Sequence, residues 1–113
     1  MKYYFERHTL KRLLEAVISE HYQSRGFSVP KLARLMQMNE RTLHRQCRKH
    51  LAKTPKDIIR RFKISEAKKR LKKGEKSETV AALTGYRCKS AFLTAFKKEV
   101  GVAPTFYLLG EQD

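Results

Sequence analysis

Arg41, His44, Arg45 and Arg48 follow one another at i, i+3, i+4 and i+7, so on a helix they share one face. That set is made of hydrogen-bond donors on long stems. Arginine can bond guanine O6 and N7 in a bidentate way, and histidine can donate to or accept from a base edge. A second and milder set comes later in the chain: Lys89, Ser90, Leu93 and Thr94. Hydroxyls and a lysine there can meet base edges. Leu93 is either a contact for a thymine methyl or a residue of the core. The chemistry both sets offer is base recognition in a DNA groove, not bond making.

Other chemistries find little footing. His8, His21, His44 and His50 share no metal spacing, and His21 falls on an apolar stripe. Cys47 and Cys88 lie far apart and read as reduced thiols of a cytosolic protein. Met36 and Met38 read as core filler. No Ser-His-Asp set, phosphate loop or pair of carboxylates stands out, so the chain reads as a non-enzyme that needs no metal and no cofactor. No apolar run reaches the ~18 residues of a membrane span, and "MKYYFERH" is too short and polar for a signal peptide. The expected location is the cytoplasm.

Charge names the partner class. In 113 residues, 26 Lys and Arg face 11 Asp and Glu, a net +15. Such a surplus calls for a polyanion. The surplus is concentrated in the middle. Residues 28–54 hold seven basic and one acidic residue, and residues 55–73 hold nine and two. Residues 74–113 hold five of each and are neutral.

Helices must position these residues, and the spacing predicts an all-α chain. Leu10, Leu13, Leu14, Val17, Ile18 and His21 make one stripe on a first helix, about Leu10 to Tyr22, with Gly26 free to take a left-handed turn after it. Ser28 is a cap for "VPKLARLM", and Asn39 caps a helix from Glu40 to Leu51. Short helix, three-residue turn, longer helix is the spacing of a helix-turn-helix. Thr54 and Pro55 open a long helix to about Lys73, with Ile58, Ile59, Phe62, Ala67 and Leu71 inward. Its expected outer face holds Arg60, Arg61, Lys63, Lys68, Lys69, Arg70, Lys72 and Lys73. Ser77 is the expected cap of "ETVAALT". Ser90 to Val100 forms the next helix, with Phe92, Ala95, Phe96 and Val100 as its core stripe, and Pro104 opens a last one.

The chain repeats itself. "RKHLAKTPKDII" at residues 48–59 aligns with "KKEVGVAPTFYL" at residues 97–108, an offset of 49. Leu43 then meets Phe92, and Cys47 meets Phe96. The organisation expected is a first helix and first helix-turn-helix in residues 1–54, a linker helix in 55–73, and a second helix-turn-helix with a C-terminal helix in 74–113. A linker of about 19 residues is about 28 Å long, enough to hold two readers near one turn of B-DNA apart. Phosphate contacts would position both units. The candidates are Ser28, Asn39 and Ser77 at helix starts, with Lys31, Arg60, Arg61, Arg87 and Lys97 as added charge.

"LARLMQMNERTLHR", "TPKDIIRRFKISEAKKRL" and "VAALTGYRCKSAFLTAFKKEVGVAPTFY" resemble the DNA-binding domain of AraC/XylS-type bacterial transcription regulators. The resemblance covers residues 9–108. Ala81, Gly85, Tyr86, Ser90, Phe92, Phe96, Gly101, Pro104 and Tyr107 fall where that family places them. It implies seven helices in two homeodomain-like helix-turn-helix subdomains, promoter binding, and activation by contact with RNA polymerase. It also implies base reading by Arg41, His44 and Arg45 and by Lys89, Ser90 and Thr94. A chain this short has no room for the ligand-sensing domain of most members. It looks like the stand-alone multiple-antibiotic-resistance and superoxide-response activators, which act as monomers; a domain cut from a longer regulator would look the same. The chain departs from the family at Gln46-Cys47, where an apolar pair is common. It also departs at Ala52, where glycine is preferred, at Ser77, where the family has an apolar residue, and at Thr94, where the stress activators carry arginine.

The function expected is a sequence-specific DNA-binding transcription regulator, an activator that reads two adjacent major-groove segments of double-stranded promoter DNA as a monomer. The rival is a non-enzymatic interaction protein, a co-regulator or anti-activator that binds RNA polymerase or a related regulator. The neutral second unit is what favours the rival.

Overall fold

The computed structural model describes residues 7–110, all in helices and the turns between them. Tyr3, Tyr4 and Phe5, an aromatic run at the start of the sequence, lie outside them. The helices are α1 (Arg7–His21), α2 (Val29–Leu35), α3 (Glu40–Leu51), α4 (Pro55–Lys72), α5 (Ser77–Leu83), α6 (Lys89–Val100) and α7 (Pro104–Gly110). The fold is all-α. Two helix-turn-helix units, α2–α3 and α5–α6, flank the long α4.

Local chemistry sets most of the boundaries. Asn39 accepts from the Thr42 amide at 2.7 Å, and Thr54 accepts from the Asp57 amide at 3.2 Å, so α3 and α4 start at satisfied caps. Pro55 and Pro104 each open a helix in the first position, where a missing N–H costs nothing. Gly74, Gly85 and Gly101 take positive φ after their helices.

Two starts and one turn differ from the sequence reading. Ser28 is the N-cap of α2, but its side chain makes no cap bond. Ser77 lies inside α5, whose N-cap is Lys76. Gly26 is not left-handed. The chain turns instead through bonds from Ser24 N to His21 O and from Phe27 N to Ser24 O, which bring Phe27 into the core. The first helix also starts earlier than its apolar stripe, and Leu13 on that stripe is 40% exposed, because the next three helices cover only its Leu10, Leu14 and Ile18 side.

The core has two parts. The first gathers Leu10, Leu14 and Ile18 of α1 with Leu32, Leu43, Cys47 and Ile59. The second gathers Val80, Ala81, Phe92 and Phe96 with Ile64, Ala67 and Leu71. Helix α4 serves both. Its buried row is Pro55, Ile59, Lys63, Ala67 and Leu71, four residues apart throughout, with Ile64 beside it. Ile58 and Phe62, expected inward, are only partly covered at the first core.

Lys63 is the main correction. It was expected on the outer face, yet it is 8% exposed. It occupies the point where the row passes from one core to the other. Its long stem fills that gap, and its ammonium rests over the Tyr86 ring, 4.9 Å from the centroid. Gly85 makes the junction tight. A Cβ there would collide with the Tyr22 carbonyl just past the end of α1, so only glycine fits.

Candidate nucleic-acid interface

Each second helix of a unit is fixed in rotation by two residues four apart. In α3 these are Leu43 and Cys47, both fully buried. That orientation leaves Arg41, His44, Arg45 and Arg48 exposed, and Gln46 half-buried beside the core. Burial pushes the Cys47 thiol up to about 11, so it stays protonated and behaves as a small apolar side chain. In α6 the fixing pair is Phe92 and Phe96, also fully buried. Lys89, Ser90, Thr94 and Lys97 are exposed. Leu93 packs against the second core and keeps partial exposure, so it is a core contact with an open edge.

The two faces differ in how free their donors are. None of the four α3 donors has an acceptor among the described residues. On α6, the Thr94 hydroxyl already donates to the Ser90 carbonyl at 3.0 Å. The Ser90 hydroxyl lies 3.2 Å from the Cys88 sulfur. That contact is the main cause that holds the Cys88 thiol below its ordinary range, with Arg87 adding to it. Lys89 lies 3.7 Å from Glu78 in an exposed pair, which contributes little.

The phosphate candidates separate in the same way. Lys31, Arg87 and Lys97 are exposed, and Ser28 and Asn39 stand exposed at the starts of α2 and α3. Ser77 is half-buried in the first turn of α5. Arg60 is occupied: it pairs with Asp57 at 2.9 Å and with Glu99 at 3.2 Å. Arg61 shares Glu99 at 3.3 Å but keeps half its side chain in solvent. Glu99 therefore holds both arginines and ties α6 to α4. The repeat comparison could not find this clamp, because Glu99 matches His50 in the first unit. The burial of Lys63, by contrast, was signalled by its place in the four-residue row of α4.

Among the described residues no helix is long and apolar enough to cross a membrane, and no group of three His, Cys, Asp or Glu side chains could hold a metal.

A helix-turn-helix family model, "Helix-turn-helix domain", matches residues 32–109, from within α2 to within α7. The chain belongs to the AraC/XylS-type helix-turn-helix family. It is 37% identical over 65 residues to the HTH-type transcriptional activator RhaS of Pectobacterium carotovorum, a match over 57% of this chain and 23% of that one. It is 25% identical over 96 residues to the raffinose operon regulatory protein RafR of Pediococcus pentosaceus, over 84% of this chain and 34% of that one. The chain thus spans about a third or less of the length of these curated relatives. Among solved structures, the C-terminal domain of AraT, a response regulator of Geobacillus stearothermophilus, superposes with a TM-score of 0.82 at 21% identity, over 92% of this chain and 87% of that one. In this family the two-unit fold is a DNA-binding domain of transcription regulators.

Proposed function

We propose that the chain is the DNA-reading part of a transcription activator, and that it engages two adjacent major-groove segments as a monomer. The observation that carries this is the pair of 12-residue helices, α3 and α6, each fixed by two buried residues on the same 18-residue α4. Helix α4 is about 27 Å long. The molecule measures 49 Å along its longest axis, against ~34 Å for one turn of B-DNA. One chain can therefore reach two groove segments without a partner copy.

In this reading Arg41, His44, Arg45 and Arg48 contact bases in the first segment. Lys89, Ser90 and Thr94 contact them in the second, with the open edge of Leu93 against a thymine methyl. Lys31, Arg61, Arg87 and Lys97 hold phosphates, together with the helix starts at Ser28, Asn39 and Ser77. Arg60 serves the α4–α6 clamp instead. Activation follows the description of the RhaS relative as a transcriptional activator, and in this reading RNA polymerase is the protein contact.

A second reading has one observation in its favour. Phe106 and Leu109 on α7 are 68% and 74% exposed, and Val102 just before them is 41% exposed. An apolar end on the neutral half suits a protein partner.

Selection of bound duplexes from a random pool, near physiological salt, separates the two. Two unequal motifs ~10 base pairs apart are expected. Enrichment of nothing, with affinity that falls steeply as salt rises, leaves only electrostatic binding and favours the interaction protein.

A further inference from the structure

A crevice of about 450 Å³ opens where the two units meet. Phe27 and Pro30 wall it from the first unit, Tyr86 and Ala95 from the second, and Ile59 and Lys63 of α4 form its base. Carbon dominates this surface. Its size and its place between two units are those of a small-molecule pocket.

Lys63 is the unusual group in it. The residue is more than nine-tenths buried, yet among the described residues no carboxylate or carbonyl pairs with its ammonium. The face of Tyr86 is its contact, and Tyr86 lines the same crevice. Burial of the residue lowers the Lys63 pKa. The carboxylate that comes near this junction, Glu99, is already held by Arg60 and Arg61. Lys56 adds a further positive charge to the lining.

We propose that this crevice is a binding site for a small apolar organic carboxylate, with its ring or chain between Tyr86, Pro30 and Ile59 and its carboxylate on the Lys63 ammonium. Ser28, Lys56 and Arg60 share the lining with Lys63, but Arg60 is held by Asp57 and Glu99, and a bare phosphate would leave the carbon walls of Phe27, Pro30, Ile59 and Tyr86 in water. A carboxylate on an apolar body satisfies both parts of the site: the ammonium gains an anion, and the body removes apolar surface from water. Because both units supply walls, an occupant bridges them. Any effect it has on DNA affinity must then be matched by an equal effect of DNA on its own affinity.

The proposal stands apart from DNA reading, because its test uses the protein alone. The probe is 2-naphthoate, with 2-naphthamide as the uncharged isostere, followed by calorimetry and by amide chemical shifts in the full chain. Saturable binding of 2-naphthoate is expected, with shifts centred on Tyr86, Ala95 and the start of α2. The amide and the variant Lys63→Met should each bind at least about tenfold more weakly, the loss of one charge-assisted bond. Methionine keeps the stem that fills the gap. Ala95→Leu is a second variant that leaves Lys63 in place and fills the crevice from the other unit, and it should abolish binding. Equal affinity for acid and amide overturns the proposal. So does undiminished binding to Ala95→Leu, or a non-saturating response spread over the basic surface.

Discussion

Helices α3 and α6 occupy equivalent places in the repeat and are built from different materials. Aliphatic residues of α1 and α2 hold α3: Leu10, Leu14, Ile18 and Leu32 around Leu43 and Cys47. A chain of rings holds α6. Tyr86, Phe92, Phe96 and Tyr107 follow one another at 5.6, 5.8 and 5.6 Å between centroids. Outside, α3 presents three arginines and a histidine, whereas α6 presents hydroxyls, lysines and the edge of Leu93. The comparison teaches what the repeat preserves. It keeps the spacing of the two buried positions that set each helix's rotation. The chemistry of the outward face is free to differ, so two readers of one shape can ask different questions of two groove segments.

The largest expected effect breaks the cores apart. Phe92 is fully buried and touches both Tyr86 and Phe96. Phe92→Ala should cost about 3–5 kcal/mol in a denaturant titration. A domain this size has ~5–15 kcal/mol in total, so the loss is a large share. Among the described residues the first core counts eleven buried side chains and the second seven, so the damage should stay in the smaller half. Hydrogen exchange in the variant should show α5, α6 and α7 opening while α2 and α3 keep their protection. Uniform loss across both units would mean that α4 couples them into one cooperative body, and the contrast between the halves would be one of composition alone.

A smaller effect compares the outward faces. Arg45→Ala should cost about 1–3 kcal/mol on a selected duplex and relax base choice at one position. Thr94→Ala should cost less, because the Thr94 hydroxyl already donates to the Ser90 carbonyl and has only acceptor capacity left for DNA. Competition against scrambled duplex measures both. If Arg45→Ala weakens specific and scrambled duplex alike, Arg45 contacts phosphate and α3 is no better a reader than α6.

Much of this was legible in the residues, for physical reasons that differ by element. The ends of α3 follow from Asn39 as a cap and from a strong periodicity between charged and apolar positions. The repeat located α6 in the same way. What the sequence hid were contacts that depend on the crossing of distant elements. Lys63 reads as one more cation on a basic helix until its four-residue row with Ile59 and Ala67 is noticed. Even then, its resting place over Tyr86 depends on the close approach of Gly85 to Tyr22. Arg60 reads as a free phosphate ligand until Glu99 arrives from a helix 39 residues away. Ser77 failed as a cap because the chain extends through Lys76 and turns helical one residue early.

The smallest effect concerns the ends of the two readers. Ala52 closes α3 and Gly101 closes α6, both left-handed and 49 positions apart. Ala52 has φ 57 and ψ 27, close to the left-handed minimum, and its amide reaches the Arg48 carbonyl at 3.2 Å. Gly101 has φ 98 and ψ −17, and its amide reaches the Lys97 carbonyl at 2.8 Å. Left-handed alanine costs ~1–2 kcal/mol, while glycine loses ~0.5–1 kcal/mol more backbone entropy on folding. The two terms oppose each other, so Ala52→Gly should stabilise by only about 0.5–1 kcal/mol. No atom lies within 4 Å of a Cβ built on Gly101, so Gly101→Ala meets conformational strain without a clash. Its φ lies well outside the region alanine tolerates, and the loss should exceed the gain at Ala52. Thermal melts of the two single variants decide the matter. If Ala52→Gly lowers the melting temperature, chain entropy outweighs the strain at φ 57, and the two C-terminal caps are equivalent in energy despite their different residues.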